Sequence, residues 1–237
     1  MIILFSLLAT ITINFDDDHT ECTISGDGSF TGFEEIPEIL TVARIILNVT
    51  ELGDNSFSSL TKLERVSFDL SSKTFRIGNN AFSGCTKLSM FNIPQYTNII
   101  GDSAFSNCVS LKNAFFTDNL KVIPVNCYYG CKNLTEINLN NVQFINESAF
   151  QGCTSLTKIK MSDSLEGIEY SAFKMCKALP KITLPNSLKY IEENAFAFCY
   201  NLSSIQLPDS LEYIGKRAFT GCNSLVEITI PPKIEIF

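Results

Sequence analysis

Cys85, Cys108, Cys131, Cys153, Cys176, Cys199 and Cys222 recur at a nearly constant interval, and other columns keep the same register. Three residues after each cysteine stands Leu88, Leu111, Leu134, Leu156, Leu179, Leu202 or Leu225. Three before it stands an aromatic: Phe82, Phe105, Tyr128, Phe150, Phe173, Phe196 or Phe219. That aromatic follows an alanine in every copy except at Cys127. The positions six and eight after each cysteine are apolar throughout, for example Ile137 and Leu139, or Ile205 and Leu207. A more divergent copy runs through Leu52, Phe57, Leu60, Leu63, Val66 and Phe68, with Leu60 in the cysteine's place. One such unit is too short to bury its own apolar columns, so a fixed period of this kind implies coils stacked in register around a continuous core.

The columns also indicate the path of one coil. Positions +6 and +8 from the cysteine are two apart and share one side of a strand, while +5 and +7 face the other way. Pro94, Pro185, Pro208 and Pro231 interrupt the strand, and Asn-Ser or Asp-Ser pairs turn the chain. Ile168, Ile191 or Ile214 then leads into a segment read as one or two helical turns, which Gly84, Gly130, Gly152 and Gly221 help to end. The expected architecture is an α/β, right-handed solenoid with a parallel sheet on one face and short helices on the other. Residues 47–237 hold about eight coils of about 23 residues. Ile234 aligns with Leu211 and Phe237 with Ile214, so the last coil is incomplete and an apolar edge is expected there. Residues 14–46 read as an N-terminal cap.

The opening segment 1–13, MIILFSLLATITI, is too short to span a bilayer. It reads as a short secretory signal, although no Lys or Arg precedes the apolar run. The competing reading is an opening strand, because Thr10 to Phe15 alternates in polarity. No other stretch has the length and apolarity of a transmembrane helix.

Nine cysteines in a secreted chain would ordinarily suggest disulfides. Here seven share one column, and their side chains run parallel into the core of coils about 5 Å apart. They are expected to be reduced, buried thiols acting as small hydrophobes. Cys127 replaces the column alanine and is expected to be buried as well, while Cys22 lies in the cap.

Little in the chain points to catalysis or cofactors. The net charge of −7 disfavours nucleic acid and anionic membrane as partners. His19 is the single histidine, so neither a zinc cluster nor a Ser-His-Asp triad assembles readily. Asp16, Asp17 and Asp18 beside it read as a solvated acidic edge. Gly26 to Gly32 is glycine-rich but lacks the Gly-Lys-Ser/Thr of a phosphate loop and reads as a turn. The chain is therefore expected not to be an enzyme and to need no metal or cofactor.

The string Ser-Leu-x-x-Ile-x-Leu-Pro-x-Ser-Leu-x-x-Ile-x-x-x-Ala-Phe-x-x-Cys runs from Ser155 to Cys176 with Met161-Ser162 in the Leu-Pro position. It returns from Ala178 to Cys199 and from Asn201 to Cys222. Over residues 47 to 237 the chain resembles the BspA-like subclass of leucine-rich repeats, with a departure at Asp69–Ser72, where one repeat is two residues longer. Members are surface or secreted proteins of anaerobic bacteria and of parasitic protists such as trichomonads. The resemblance implies an adhesive or recognition role toward host proteins, other cells, matrix or glycans, with an intracellular scaffold as the alternative. It carries no catalytic residues.

Binding is expected on the outward strand positions of the middle coils. These are Met90, Asn113, Glu136, Lys158 and Lys181 at +5, and Asn92, Phe115, Asn138, Lys160 and Thr183 at +7. Met90 and Phe115 are apolar in otherwise polar columns, and Lys158, Lys160 and Lys181 form a basic patch. Asn48, Asn133, Asn146 and Asn201 begin glycosylation sequons, which matter only if the chain enters a secretory pathway.

Overall fold

Most coils contribute two short strands, and equivalent strands of successive coils pair in parallel except after Met90–Phe91, Thr97–Ile100 and Lys158–Lys160, where the ladders break. The structure, a computed structural model, describes residues 4–5, 12–26, 28–30, 39–47, 49–70 and 74–234. The first set of strands begins with Glu21–Ser25, Val42–Leu47, Arg65–Leu70 and Met90–Phe91. It continues with Asn113–Phe115, Glu136–Asn138 and Lys158–Lys160, then with Lys181–Thr183 and Ser204–Gln206. The second set runs through Gly28–Phe30, Val49–Leu52, Phe75–Ile77 and Thr97–Ile100. Val122–Ile123, Phe144–Ile145, Gly167–Ile168, Tyr190–Ile191 and Tyr213–Ile214 complete it. The result is a β-solenoid of about eight turns with about 23 residues each.

Parallel pairing reaches back to Glu21–Ser25, inside the segment read as a cap. Thr12–Phe15 pairs antiparallel with that strand, and Leu4–Phe5 pairs antiparallel with Thr12–Phe15. Most of the expected signal segment, Ser71 and Ser72 of the longer repeat, and Phe237 lie outside the described residues. In the last described coil Val226 is 96% exposed, and Leu225, Ile228 and Ile234 are half-buried.

The expected short helices do not form. The segment from the second strand to the cysteine is a run of turns, and its hydrogen bonds explain why. Ala195, Ala197 and Cys199 donate their N–H groups locally, to the carbonyls of Glu192, Asn194 and Phe196. The alternate residues Asn194, Phe196 and Phe198 donate outward, to Lys216, Ala218 and Thr220 of the next coil. A helix would need every N–H to bond four residues back along its own chain. With half of them directed to the neighbouring coil, the segment becomes a third inter-coil ladder.

Two left-handed residues, five and one before each cysteine, produce this alternation. The first position is held by Asn55, Asn80, Asn126 and Asn194, by Ser103, Ser148 and Ser171, or by Arg217, with φ of 52–60°. The second includes Gly84, Gly130, Gly152 and Gly221, with φ of 70–77°. Glycine and asparagine enter this region most readily. Met175 and Phe198, both with φ 62°, occupy the second position at a cost of about 1–2 kcal/mol each.

The core is organised around a column of rings. From Phe57 through Phe82, Phe105, Tyr128, Phe150, Phe173, Phe196 and Phe219, neighbouring rings lie 5.2–5.6 Å apart and within 10° of parallel. Inward strand residues meet the column edge-on: Phe91 approaches Phe82 and Phe105, and Phe116 stands at 90° to Tyr128. Offset-stacked and edge-to-face pairs are the two favoured aromatic arrangements. Alanine precedes the ring because the turn ladder runs close against the core; Ala104, Ala149, Ala172 and Ala195 have no exposed surface.

The cysteine column packs beside the rings, and each thiol has a fixed acceptor. Cys108 donates its S–H to the carbonyl of Phe82, Cys131 to Phe105, Cys153 to Tyr128 and Cys176 to Phe150. The sulfur-to-oxygen distances are 3.1–3.3 Å. Each acceptor is the carbonyl of the preceding coil's spine aromatic. All nine cysteines are free and buried. Burial pushes the Cys85 and Cys131 thiols up to about 12 and those of Cys108, Cys153 and Cys176 well above the ordinary range. Thiolate, the nucleophilic form, is therefore negligible near neutral pH.

Phe173 has no exposed surface and lies 5.3 Å from both Phe150 and Phe196. Phe173→Ala should destabilise the protein by about 3–5 kcal/mol, measured as a lower denaturant midpoint; an unchanged midpoint refutes the stacked column. A thiol reagent at neutral pH should label the column cysteines slowly in the native protein and rapidly once denaturant is added. Stoichiometric labelling of the folded protein would contradict the buried ladder.

Candidate functional site

Strand alternation sends the side chain at +6 inward and those at +5 and +7 outward. Asn113, Glu136 and Lys158 stand in register across three coils, as do Phe115, Asn138 and Lys160. Lys181 and Thr183 pair with Ser204 and Gln206, and Met90 pairs with Arg65. All the sequence-selected positions thus face outward, in three separate ladders and not in one unbroken sheet. Pro180 accounts for the break before Lys181. At this position Thr135 and Thr157 donate their N–H groups to Lys112 and Thr135 of the preceding coil, and proline has no N–H to donate.

Met90 is 58% and Phe115 47% exposed. Met90 and Asn92 border a groove of about 390 Å³ whose other walls include Arg65, Phe68 and Pro94. Lys158 approaches Glu136 at 4.0 Å, a solvent-exposed pair of the kind that contributes about 0–1 kcal/mol. Lys160 and Lys181 are exposed and make no ion pair among the described residues.

The second set of strands, which forms two separate ladders, presents an outward column outside the positions selected from the sequence. Ile99, Val122 and Tyr213 are exposed, and Phe144 and Tyr190 are half-buried. Gly167 stands in the same column because the Tyr190 ring lies across it; a Cβ there would come 2.2 Å from the ring. The Tyr190 hydroxyl donates to Glu169 Oε1 at 2.8 Å, and burial followed by this bond pushes its pKa up to about 12. Beside it is an open polar groove of about 540 Å³ lined by Gln143, Glu166, Asn186, Lys189, Asp209 and Glu212 among others. Lys189 donates to Glu166 at 2.6 Å across its floor. This column was hard to find from sequence, because only the inward Ile of each two-residue strand keeps a constant character.

Asp16 is a turn residue. It accepts from the Glu21 N–H and from the Thr20 hydroxyl, each at 2.9 Å, and the Glu21 bond leads in holding its carboxyl below the usual range. His19 stacks on Phe15 at 5.5 Å. No group of three or more His, Cys, Asp or Glu among the described residues could hold a metal ion. Among the sequon asparagines Asn133 and Asn201 are exposed, Asn146 is half-buried, and Asn48 lies outside the described residues. No helix among the described residues is long and apolar enough to cross a membrane.

The chain is similar in structure to a leucine-rich repeat protein from Bacteroides ovatus. The TM-score is 0.50, with 20% identity over 94% of each chain. It is also similar to a T. pallidum leucine-rich repeat protein, with TM-score 0.49 and 22% identity over 72% of this chain and 88% of that one. A leucine-rich cell surface protein from Faecalibacterium prausnitzii aligns over 96% of this chain and 94% of its own at 17% identity, with TM-score 0.37. No curated protein matches the sequence. The pattern of the BspA type leucine-rich repeat region matches residues 50–153 and 121–237 in six copies. With the period, the cysteine column and the parallel coils, that match places the chain in the BspA-type leucine-rich repeat family.

Proposed function

We propose that this protein is a secreted or cell-surface recognition module that binds a host or matrix protein on the outward face of its middle coils. The observation that carries the proposal is the exposure of Met90 and Phe115 in columns otherwise held by polar residues. An exposed apolar group on a rigid face gains nothing in the free protein and becomes favourable when a partner covers it. Lys158, Lys160 and Lys181 add positive charge to the same face of a protein whose net charge is −7, so an acidic partner surface is attracted to it. Family membership supports a binding role. Asn92, Asn113, Glu136, Asn138 and Thr183 form the polar surround of that face.

A second reading, an intracellular scaffold using the same face, is favoured by nine unpaired cysteines, which suit a reducing compartment. Mass spectrometry of the mature N-terminus separates the two. Protein recovered from the cell surface and lacking the segment 1–13 supports secretion, and an intact N-terminus in cytosol supports the scaffold.

Phe115→Ala combined with Lys160→Ala should weaken binding to host cells or matrix-coated surfaces at least ~10-fold, about 1.4 kcal/mol. The melting temperature should stay nearly unchanged, because both side chains are exposed. Undiminished binding would move the site to the outward column at Tyr190 and Tyr213.

A further inference from the structure

The corner at each of the seven column cysteines, two residues to either side of it, carries no aspartate or glutamate, and neither does the corner built on Leu60. The chain has 25 acidic residues and a net charge of −7, so this exclusion runs against its composition. The same corner holds Lys62, Lys87, Lys132, Lys174 and Lys177. None of the five forms an ion pair among the described residues. The corners are stacked in register: Ser155 donates its N–H to Lys132, Ala178 to Thr154, Asn201 to Lys177 and Ser224 to Tyr200, each in the preceding coil. They therefore form one continuous flank, separate from the outward strand face.

Within that flank, four coils put a side chain at the left-handed position that glycine fills elsewhere: Ser59 and Asn107, which are small or suited to that region, and the bulky Met175 and Phe198. Met175 and Phe198 take the left-handed position that Gly84, Gly130, Gly152 and Gly221 occupy in other coils. A side chain at such a position is strained, and strain that persists without a structural need points to a use. Both side chains remain partly exposed. The Phe198 ring extends across Gly221 of the next coil. It also meets Tyr200 edge-on at 6.3 Å, and Lys177 Nζ lies 5.6 Å above the Tyr200 ring. The product is a small aromatic platform with a cation on it, with Asn201 next to it in sequence and Thr220 accepting the Phe198 N–H from the next coil.

We infer that this flank binds an anionic polysaccharide, its sugar rings resting on Phe198 and Tyr200 and its carboxylate or sulfate groups paired with Lys132, Lys174 and Lys177. Aromatic faces pack against the apolar faces of pyranose rings, and hydroxyl and amide side chains hydrogen-bond their oxygens. The absence of carboxylates from the Leu60 corner to the Cys222 corner removes repulsion along that stretch of an anionic chain. A coil spacing of about 4.8 Å is comparable to the length of one pyranose unit, so a periodic polymer meets a periodic row of contacts. An acidic protein would use the lysines but has no need of a narrow aromatic platform beside them.

Chondroitin sulfate and heparin serve as probes, with dextran as the neutral counterpart and polyglutamate as the acidic polypeptide. Protein from a bacterial host keeps Asn133 and Asn201 free of glycans. At roughly 0.15 M salt, the sulfated chains should bind and dextran should not. Tyr200→Ala and Phe198→Gly should each weaken binding ~10-fold, with Phe198→Gly keeping the melting temperature because it restores the residue found in other coils. Lys174→Glu with Lys177→Glu should abolish binding. Lys158→Glu with Lys160→Glu, on the outward strand face, should leave it intact. The inference is overturned if the sulfated chains do not bind, or if polyglutamate binds as tightly. It is equally overturned if Tyr200→Ala and Phe198→Gly have no effect, which is diffuse ion exchange, or if the Lys158 and Lys160 pair proves to be the determinant.

Discussion

The Phe196 N–H donates to the Ala218 carbonyl of the next coil at 2.8 Å, and equivalent bonds join Phe82 to Ala104, Phe150 to Ala172 and Phe173 to Ala195. This repeated bond sets the rest of the structure. It fixes the separation between coils at the residue that carries the ring, so the rings stack in parallel with offsets that suit their quadrupoles. It also removes the N–H that a helix would require. The left-handed residues on either side follow from it, because the chain must turn twice within one segment to present alternate N–H groups outward and inward.

Cysteine at the end of this segment follows from the same geometry. The spine carbonyl already accepts an N–H from the cysteine three residues on; Phe105, for example, accepts from Cys108. A carbonyl has a second lone pair, and it is filled by the Cys131 thiol of the next coil. A thiol is small and apolar enough for the core and still offers a weak donor. Alanine would leave that lone pair unfilled and a space behind it. Leu60 shows that a larger apolar side chain is accepted where the column begins. Pairing two thiols as a disulfide would withdraw both donors and turn parallel side chains toward each other, which accounts for the seven free cysteines of the column.

A scaffold held by backbone ladders and a buried ring column leaves its outer columns free of structural duty. Three surfaces result, each with its own character. The outward strand face is polar, with Met90 and Phe115 as exceptions and lysines in its middle coils. The second set of strands carries an apolar column next to a polar groove lined by Glu166, Asp209 and Glu212 together with Lys189 and Lys233. The corner at the seven column cysteines lacks acid altogether. Acidic side chains are thus kept out of the column-cysteine corner, even though the net charge is strongly negative.

The sequence alone determined the coil length, the inward columns, the stacked rings and the buried thiols, because these depend on residue type repeated at one spacing. Phe82 and Phe219 announce the same role 137 positions apart. It also determined that the side chains at +5 and +7 face outward, since strand alternation leaves no other choice. The short helix expected around Asn194 to Cys199 was not decided by local propensity. Its alternate N–H groups find carbonyls only when a second coil lies beside the first, and a partner from another coil cannot be read within one repeat. The break in the outward face at Pro180, the Tyr190 ring lying across Gly167 and the strained Phe198 over Gly221 likewise exist only between coils. Tertiary stacking decided them, because each is a contact between residues a full period apart whose columns are not constant.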